Sequence, residues 1–441
     1  MKTALLLVTL LSMTSVVVTY RRYYTSCNHQ YAVVNANGKF AFALYKKIGS
    51  ASSGQNMIFS PFSVSTALAM TYGGASGLTK SQMASALRFS GIPANCNIHK
   101  GFLSLINLMK NYNTVNIANR IYVDNSLGVT LNFGWLTSTY YLAPIKKKDI
   151  YNHPVTVTNT INNWVKGQTN NQITNLLDTL DRDVKLVLVN AISFKDKWVK
   201  PFGMASNGPF HVSNGATVQV CKMSMSCGPA SLKYGNIPGV AAKILELPYK
   251  AHQVSMYIIR PNFIQGLSGV ENSLTLAKLN SAISAMTTRN VAIVLPKFQL
   301  SKNMDLKDRL QALGMHKLFT YGAQLSGIGT GTYPLYVEFV QQKAVIKVDL
   351  KGTEASAATA VGVCPAPGRI RRSTTVPFDV DRPFLFVLRE NSSGSILFMG
   401  RVTNPQSSCS GSAGRFDRVF RPHRFTSLRH VGRPAFSSRS G

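Results

Sequence analysis

Leu186, Val187, Leu188 and Val189, followed by Ile192 and Phe194, are apolar at nearly every position rather than at every second one. Successive side chains of a strand point to opposite faces. A strand with one wet face therefore alternates, and a run that is apolar at both parities belongs to a strand covered on both sides. Val291–Leu295, stopped by Pro296, and Val254–Ile259 have the same character, and Ile396–Met399 follows a turn at Asn391–Gly394. Doubly covered strands require further layers, and the helical periodicity lies mostly earlier in the chain. Phe40, Leu44 and Ile48 recur every four residues on one helix face. A later helix is predicted over Leu306, Arg309, Leu310 and Leu313, with Asp305 near its positive end and Gly314 at its C-terminus. Helices dominate the first half and strands the second without strict βαβ alternation, which predicts an α+β architecture and not a doubly wound sheet. No internal repeat is visible, and no Pro- or Gly-rich linker divides the chain before about residue 350.

The composition, 45% hydrophobic against 15% charged, allows a large core. The charge balance is unusual: 48 Lys and Arg against 17 Asp and Glu give a formal net charge of +31. That favours polyanionic partners, among them sulfated glycans. Nucleic acid has only net charge behind it, with no recognition helix or finger pattern. Residues 1–19 have the form of a secretory signal peptide. Lys2 starts it, Ala4–Val18 is apolar apart from Thr and Ser, and Val17 and Thr19 suit cleavage after Thr19. The apolar run falls short of the roughly 20 residues of a membrane span, and no later stretch reaches that length. Secretion is expected, and with it disulfides among Cys27, Cys96, Cys221, Cys227, Cys364 and Cys409. No CxxC, paired zinc pattern or HExxH signals a metal, and no cofactor is expected. Asn391–Ser392–Ser393 is an N-glycosylation sequon in an expected surface turn.

Several ordered blocks carry a family resemblance. They are "NMIFSPFSVSTALAMTYGGASGLTKSQM" (Asn56–Met83), "LVNAISFKDKWVKPF" (Leu188–Phe202), "LPKFQL" (Leu295–Leu300), "LQALGMHKLF" (Leu310–Phe319), "QKAVIKVDLKGTEASAATAV" (Gln342–Val361) and "FDVDRPFLFVLRENSSGSILFMGRV" (Phe378–Val402). Together they resemble the serpin superfamily over about residues 33–405. The resemblance implies three β-sheets, about nine helices and a reactive loop, here about residues 352–376, exposed as bait for a serine protease. In that family the cut loop inserts into the central sheet as a new strand while the protease is held as an acyl-enzyme. The chain is then an inhibitor and not an enzyme. No GxSxG elbow, P-loop or GxGxxG after a strand argues otherwise, and "GIGTG" (Gly327–Gly331) reads as a loop.

The resemblance makes Gly352, Thr353, Glu354, Ala355, Ser356, Ala357, Ala358 and Thr359 the hinge. A segment that must enter a tight slot has to lack bulk and proline. Thr353, Ala355, Ala357 and Thr359, all small, share one strand face. Ser60, Ser63, Asn190 and Gln342 resemble the region beneath the parting strands; Trp198 and Lys297 resemble its upper opening. Relatives carry a Glu partner for that lysine two residues before the hinge glycine, where this chain has Leu350. Lys297 is therefore expected to find another partner or to stay solvated.

The bait bond is open to two counts. Forward from Gly352 the usual spacing gives Ala366, followed by Pro367; backward from Pro383 it gives Arg372, followed by Ser373. The loop is thus about six residues longer than is usual in the family. Arg372–Ser373 and, second, Arg369–Ile370 suit a trypsin-like pocket with a buried acid. The extra length leaves slack that favours a substrate over an inhibitor. Cys364 on this loop is a free thiol or an intermolecular disulfide candidate.

Three functions compete: an inhibitor of trypsin-like proteases, a non-inhibitory carrier, chaperone or decoy, and a glycosaminoglycan-binding protein. For the last, Lys146, Lys147 and Lys148 form the densest basic run, with Lys100 and Lys110 on an expected helix. The protein is expected to be monomeric. Residues 406–441, with seven Arg against one Asp, have no counterpart in the family and read as a basic, disordered extension.

Overall fold

The computed structural model describes residues 27–212, 215–225, 228–330, 335–353, 374–407 and 409. Nine α-helices lie among them, six before residue 169, and the strands follow mostly after residue 185. The first helix, His29–Ala51, starts where the Asn28 side chain accepts the Tyr31 N–H. It buries Phe40, Leu44 and Ile48 as their spacing predicts. The helix Pro61–Gly74 is capped by Ser60, whose hydroxyl accepts the Ser63 N–H, and has proline in its first turn. It is buried on nearly every side, which is why its apolar residues show no single stripe.

Leu186–Phe194 is a strand, and both its faces are covered. Val187, Val189 and Ala191 meet a satellite core containing Val157, Ile161 and Val165 of the helix Pro154–Gln168. Ile192 and Phe194, with the partly buried Leu188, belong to the main core. The strand pairs antiparallel with Val115–Asp124, which pairs parallel with Ile145–Lys148. A second piece of this central sheet joins Phe298–Asp305 antiparallel to Gln341–Asp349. Gly352–Thr353 pairs with the upper end of Gln341–Asp349 on one side and with Asp196–Lys197 on the other. Among the described residues no strand pairing joins Leu186–Phe194 to Gln341–Asp349.

Behind lies a ten-stranded sheet. Its path runs Met57–Phe59, Ile396–Val402, Phe384–Glu390, Val254–Pro261, Ala242–Pro248, Ala230–Asn236, Thr287–Pro296, Thr217–Ser224 and Met204–His211, with Val376–Asp379 parallel to Thr287–Pro296. The α+β, multi-sheet fold is as expected, with a difference in how the sheets join. Two of them run together through Thr287–Pro296, whose two ends pair with different strands, and the central one is in two pieces. "GIGTG" is not wholly loop, since Gly329–Thr330 pairs with Gly128–Val129. The predicted late helix is short, Lys307–Gln311, and Asp305 accepts the Lys307 N–H at its start.

Cys27 and Cys96 form a disulfide that ties the start of the first helix to the segment before Ile98–Lys110. No helix of the described residues is long and apolar enough to cross a membrane.

His99 sits among Tyr72, Tyr140 and Tyr141, with its Nδ1 2.7 Å from the Tyr141 hydroxyl. Burial, then the Lys80 charge, push its pKa from 6.5 down to about 4. A histidine held neutral in the fold lets the unfolded chain bind the extra proton. Stability is therefore expected to be flat above about pH 6.5 and to fall by roughly 2–3 kcal/mol between there and about pH 4. Urea unfolding against pH measures this, with His99→Gln expected to flatten the profile.

Candidate functional site

Leu186–Phe194 and Gln341–Asp349 are fastened not to each other but to the N-terminus of one helix. Gln342 accepts the Ser60 N–H at 3.2 Å and donates to the Ser60 carbonyl at 2.8 Å. Three residues on, the Ser63 hydroxyl donates to the Asn190 side chain. Asn190 donates to Asn119 of the neighbouring strand, and Asn119 donates to the Tyr141 carbonyl at 2.9 Å. All of these groups are buried and partnered, which such groups require. The structure thus brings together Ser60, Ser63, Asn190 and Gln342. Asn119 completes the chain without having been singled out by the sequence.

Beside this network, between the two strands, is a cavity of about 690 Å³. Ser63, Leu68, Leu188, Asn190, Val340 and Gln342 are among its walls. An unfilled space between two strand edges that do not pair has the form of a slot for a further strand.

Gly352 and Thr353 occupy the upper end of that slot. A Cβ on Gly352 would lie 2.1 Å from the Asp196 carbonyl oxygen, so only glycine lets the chain come this close. Thr353 is buried, and its Oγ1 lies 2.6 Å from the Tyr249 hydroxyl. Burial raises the Tyr249 pKa well above its ordinary value, so the hydroxyl stays neutral. Trp198 stacks on Tyr249 with ring centroids 4.3 Å apart, and its indole N–H donates to the Asp349 carbonyl at 3.0 Å.

Lys297 does not stay solvated. Its Nζ lies 2.9 Å from Asp349 Oδ1, one residue before the expected position, while Leu350 packs against the core. Burial pushes the Asp349 pKa up. Hydrogen bonds from Lys297 and the Leu350 N–H, with the charges of Lys297 and Lys347, outweigh that and hold it below the usual carboxylate value.

Val376–Asp379 lies beside Thr287–Pro296, and Asp379 pairs with Lys222 at 2.8 Å. The second disulfide, Cys221–Cys409, is adjacent. Glu354–Thr359, Ala366, Pro367, Arg369, Ile370, Arg372 and Ser373 lie outside the described residues, as do residues 1–19, Cys227, Cys364 and 410–441.

The lysine triplet is on an outer strand, Ile145–Lys148. Alternation sends Lys146 and Lys148 to one face and Lys147 to the other, so the triplet does not form one patch. Lysine on a sheet edge also deters pairing with another chain. Asn391 is exposed, in a turn pinned by the buried Glu390, whose carboxylate accepts from the backbone and side chains of Ser392 and Ser393. Cys27, His29 and Cys96 lie close together, but the two sulfurs are bonded to each other and offer no thiolate.

Residues 35–405 match the family model described as Serpin (serine protease inhibitor). The chain is 36% identical over 387 residues to the leukocyte elastase inhibitor of Bos taurus, covering 84% of this chain and 98% of that protein. It is 34% identical over 382 residues to a serine protease inhibitor of Cyanea capillata, covering 84% and 97%. The crystal structure of Serpin48, a highly specific serpin in the insect Tenebrio molitor, aligns with a TM-score of 0.73 at 30% identity, covering 86% of this chain and 98% of that one.

Asp349→Asn is expected to lower stability by about 1 kcal/mol at neutral pH. A depressed carboxylate pKa contributes above its ordinary value of about 4 and is lost as pH falls through the native one. Wild type and variant should therefore converge in acid. Urea titrations across that range measure the difference; a gap that persists at the lowest pH would place the effect elsewhere.

Proposed function

This chain belongs to the serpin family, and on that premise we propose that it is a secreted inhibitor that traps trypsin-like, Arg-specific serine proteases on its reactive loop. The carrying observation is the pair Gly352–Thr353, seated as the beginning of a strand between two strands that do not otherwise pair, above a cavity. The protease serine would attack the carbonyl carbon of the bait residue. An ester forms, the peptide bond breaks, and the amine leaves with the C-terminal piece. The freed hinge then continues downward from Thr353, where the small residues Ala355, Ala357 and Thr359 meet no steric barrier.

Arg372 is the preferred bait residue and Arg369 the second, because both suit an acidic primary pocket. A second reading has support of its own. The forward count gives Ala366, a small residue, and similar proteins are named leukocyte elastase inhibitor. Secretion is supported by the form of residues 1–19 and by two disulfides, which persist in oxidising compartments. N-glycosylation at Asn391 is consistent with its exposed turn. Heparin-like glycans remain candidate partners through the overall positive charge and the lysines at 146–148, and such binding would weaken with salt.

The test is denaturing electrophoresis with intact-mass analysis after mixing with trypsin, thrombin and elastase. A covalent complex is expected with an Arg-specific protease, and the released fragment's mass identifies Arg372, Arg369 or Ala366. Thr353→Arg would place a charged bulk where a buried hydroxyl meets Tyr249. It is expected to reduce the complex at least about tenfold, the equivalent of some 1.4 kcal/mol in the partition between trapping and hydrolysis, while cleavage continues at the same bond. Cleavage of the wild type by all three enzymes without any complex would transfer the role to a carrier or decoy.

A further inference from the structure

Four neighbouring strands of the ten-stranded sheet carry a row of polar side chains on one face. Glu246 of Ala242–Pro248 is opposite Tyr257 of Val254–Pro261, and Ser255 is opposite Arg389 of Phe384–Glu390. Glu246 is buried and accepts from the Ser255 hydroxyl at 2.7 Å, while Lys233 of Ala230–Asn236 reaches its other oxygen at 3.5 Å. Arg389 donates to the Gly394 carbonyl at 2.9 Å and to Asn280 of the helix Leu276–Ala285 at 3.1 Å. All three charges thus have partners within the fold, as shielded charges require, and none is left over to attract an ion.

Over this face lies a groove of about 420 Å³, within the ~300–1,000 Å³ of small-molecule sites. Ile283 and Pro248 give it apolar walls, and Ser231, Thr288 and His252 add hydrogen-bonding groups. Apolar walls, neutral donors and acceptors and a charge-matched floor fit an uncharged ligand with an apolar face and a rim of hydroxyls, which is a pyranose sugar. Asn391 stands at the edge of the groove. Its backbone N–H donates to the Gln253 carbonyl at 2.9 Å and its Nδ2 to the His252 carbonyl at 3.0 Å. The amide nitrogen has two hydrogens to give. One is directed at His252, and that bond holds the side chain beside the groove.

We propose that this groove seats the first N-acetylglucosamine of a glycan on Asn391. The inference rests on the reading that the chain is secreted and glycosylated there. In the attachment step Nδ2 forms a bond to C1 of the sugar. The bond from C1 to the diphosphate of a lipid-linked oligosaccharide donor breaks, and one Nδ2 proton is released. The remaining Nδ2 hydrogen keeps the bond to His252. Attachment precedes folding, because in the folded chain the sequon hydroxyl of Ser393 is committed to the buried Glu390. Tethering at the edge then gives the sugar an effective concentration on the order of millimolar, so shallow contacts suffice. Its ring carbons lie against Ile283 and Pro248, and its hydroxyls and acetamido group meet Ser231, Thr288 and Lys233. A sugar seated this way bridges the turn Asn391–Gly394 to the helix Leu276–Ala285, and the turn opens less often.

Full-length protein is made in a eukaryotic secretory host, and its glycan is trimmed by an endoglycosidase to a single N-acetylglucosamine. The comparator is the same chain from a bacterial periplasm, where disulfides form and no such sugar is attached. Amide hydrogen exchange is read by mass spectrometry over residues 250–255 and 389–394. The single sugar is expected to slow exchange there about tenfold. Thr288→Trp, which places an indole in the groove, is expected to abolish that slowing while the sugar stays attached. Slowing that persists in this variant would assign the effect to the tether alone and overturn the proposal. Equal exchange in the two wild-type proteins overturns the groove assignment and leaves the glycosylation reading standing. An intact mass without glycan for the secreted protein overturns both.

Discussion

The hydrogen bonds from Ser60 and Ser63 to Gln342 and Asn190 decide what kind of central sheet this protein has. Two long strands that would ordinarily satisfy each other's backbone are instead fastened to the first turn of one buried helix. Buried N–H and C=O groups left without partners are costly. The protein therefore holds an incomplete sheet whose unpaired edges a further strand would satisfy. The polar network keeps the edges in register for that strand without closing the gap. Its members are side-chain amides and hydroxyls, strong enough to define a geometry and cheap enough to rearrange.

Above the network the upper end of the gap is closely packed. Gly352 passes Asp196 at a distance no Cβ tolerates, Thr353 reaches Tyr249, and Trp198 closes the stack. The ion pair Lys297–Asp349 holds the end of Gln341–Asp349, and Lys222–Asp379 holds the end of Val376–Asp379. Both pairs are partly shielded from water, where a lone charge costs more than the pair gains. Their worth thus lies in fixing positions more than in adding stability.

The large positive charge has a different structural meaning from the one its densest run suggests. Lys146–Lys148 borders the central sheet and alternates between its two faces, a position that deters edge pairing with another chain.

Local pattern alone determined the doubly covered strand at Leu186–Phe194 and the buried face of the first helix, because strand and helix periodicities are properties of neighbouring residues. The ordered blocks further determined the family, and with it Ser60, Ser63, Asn190 and Gln342. Tertiary structure decided the rest. Asp349 replaces the partner missing at Leu350 because an ion pair depends on where a carboxylate reaches, not on which position bears it. Asn119 and Tyr249 gave no signal, since each acts through a residue 71 or 104 positions away. The pairing of Cys221 with Cys409 spans 188 residues, and six cysteines in a row of letters contain no geometry from which to choose it. Long-range contacts of this kind exist only once the core has packed, and the ion pairs Lys297–Asp349 and Lys222–Asp379 are built from them.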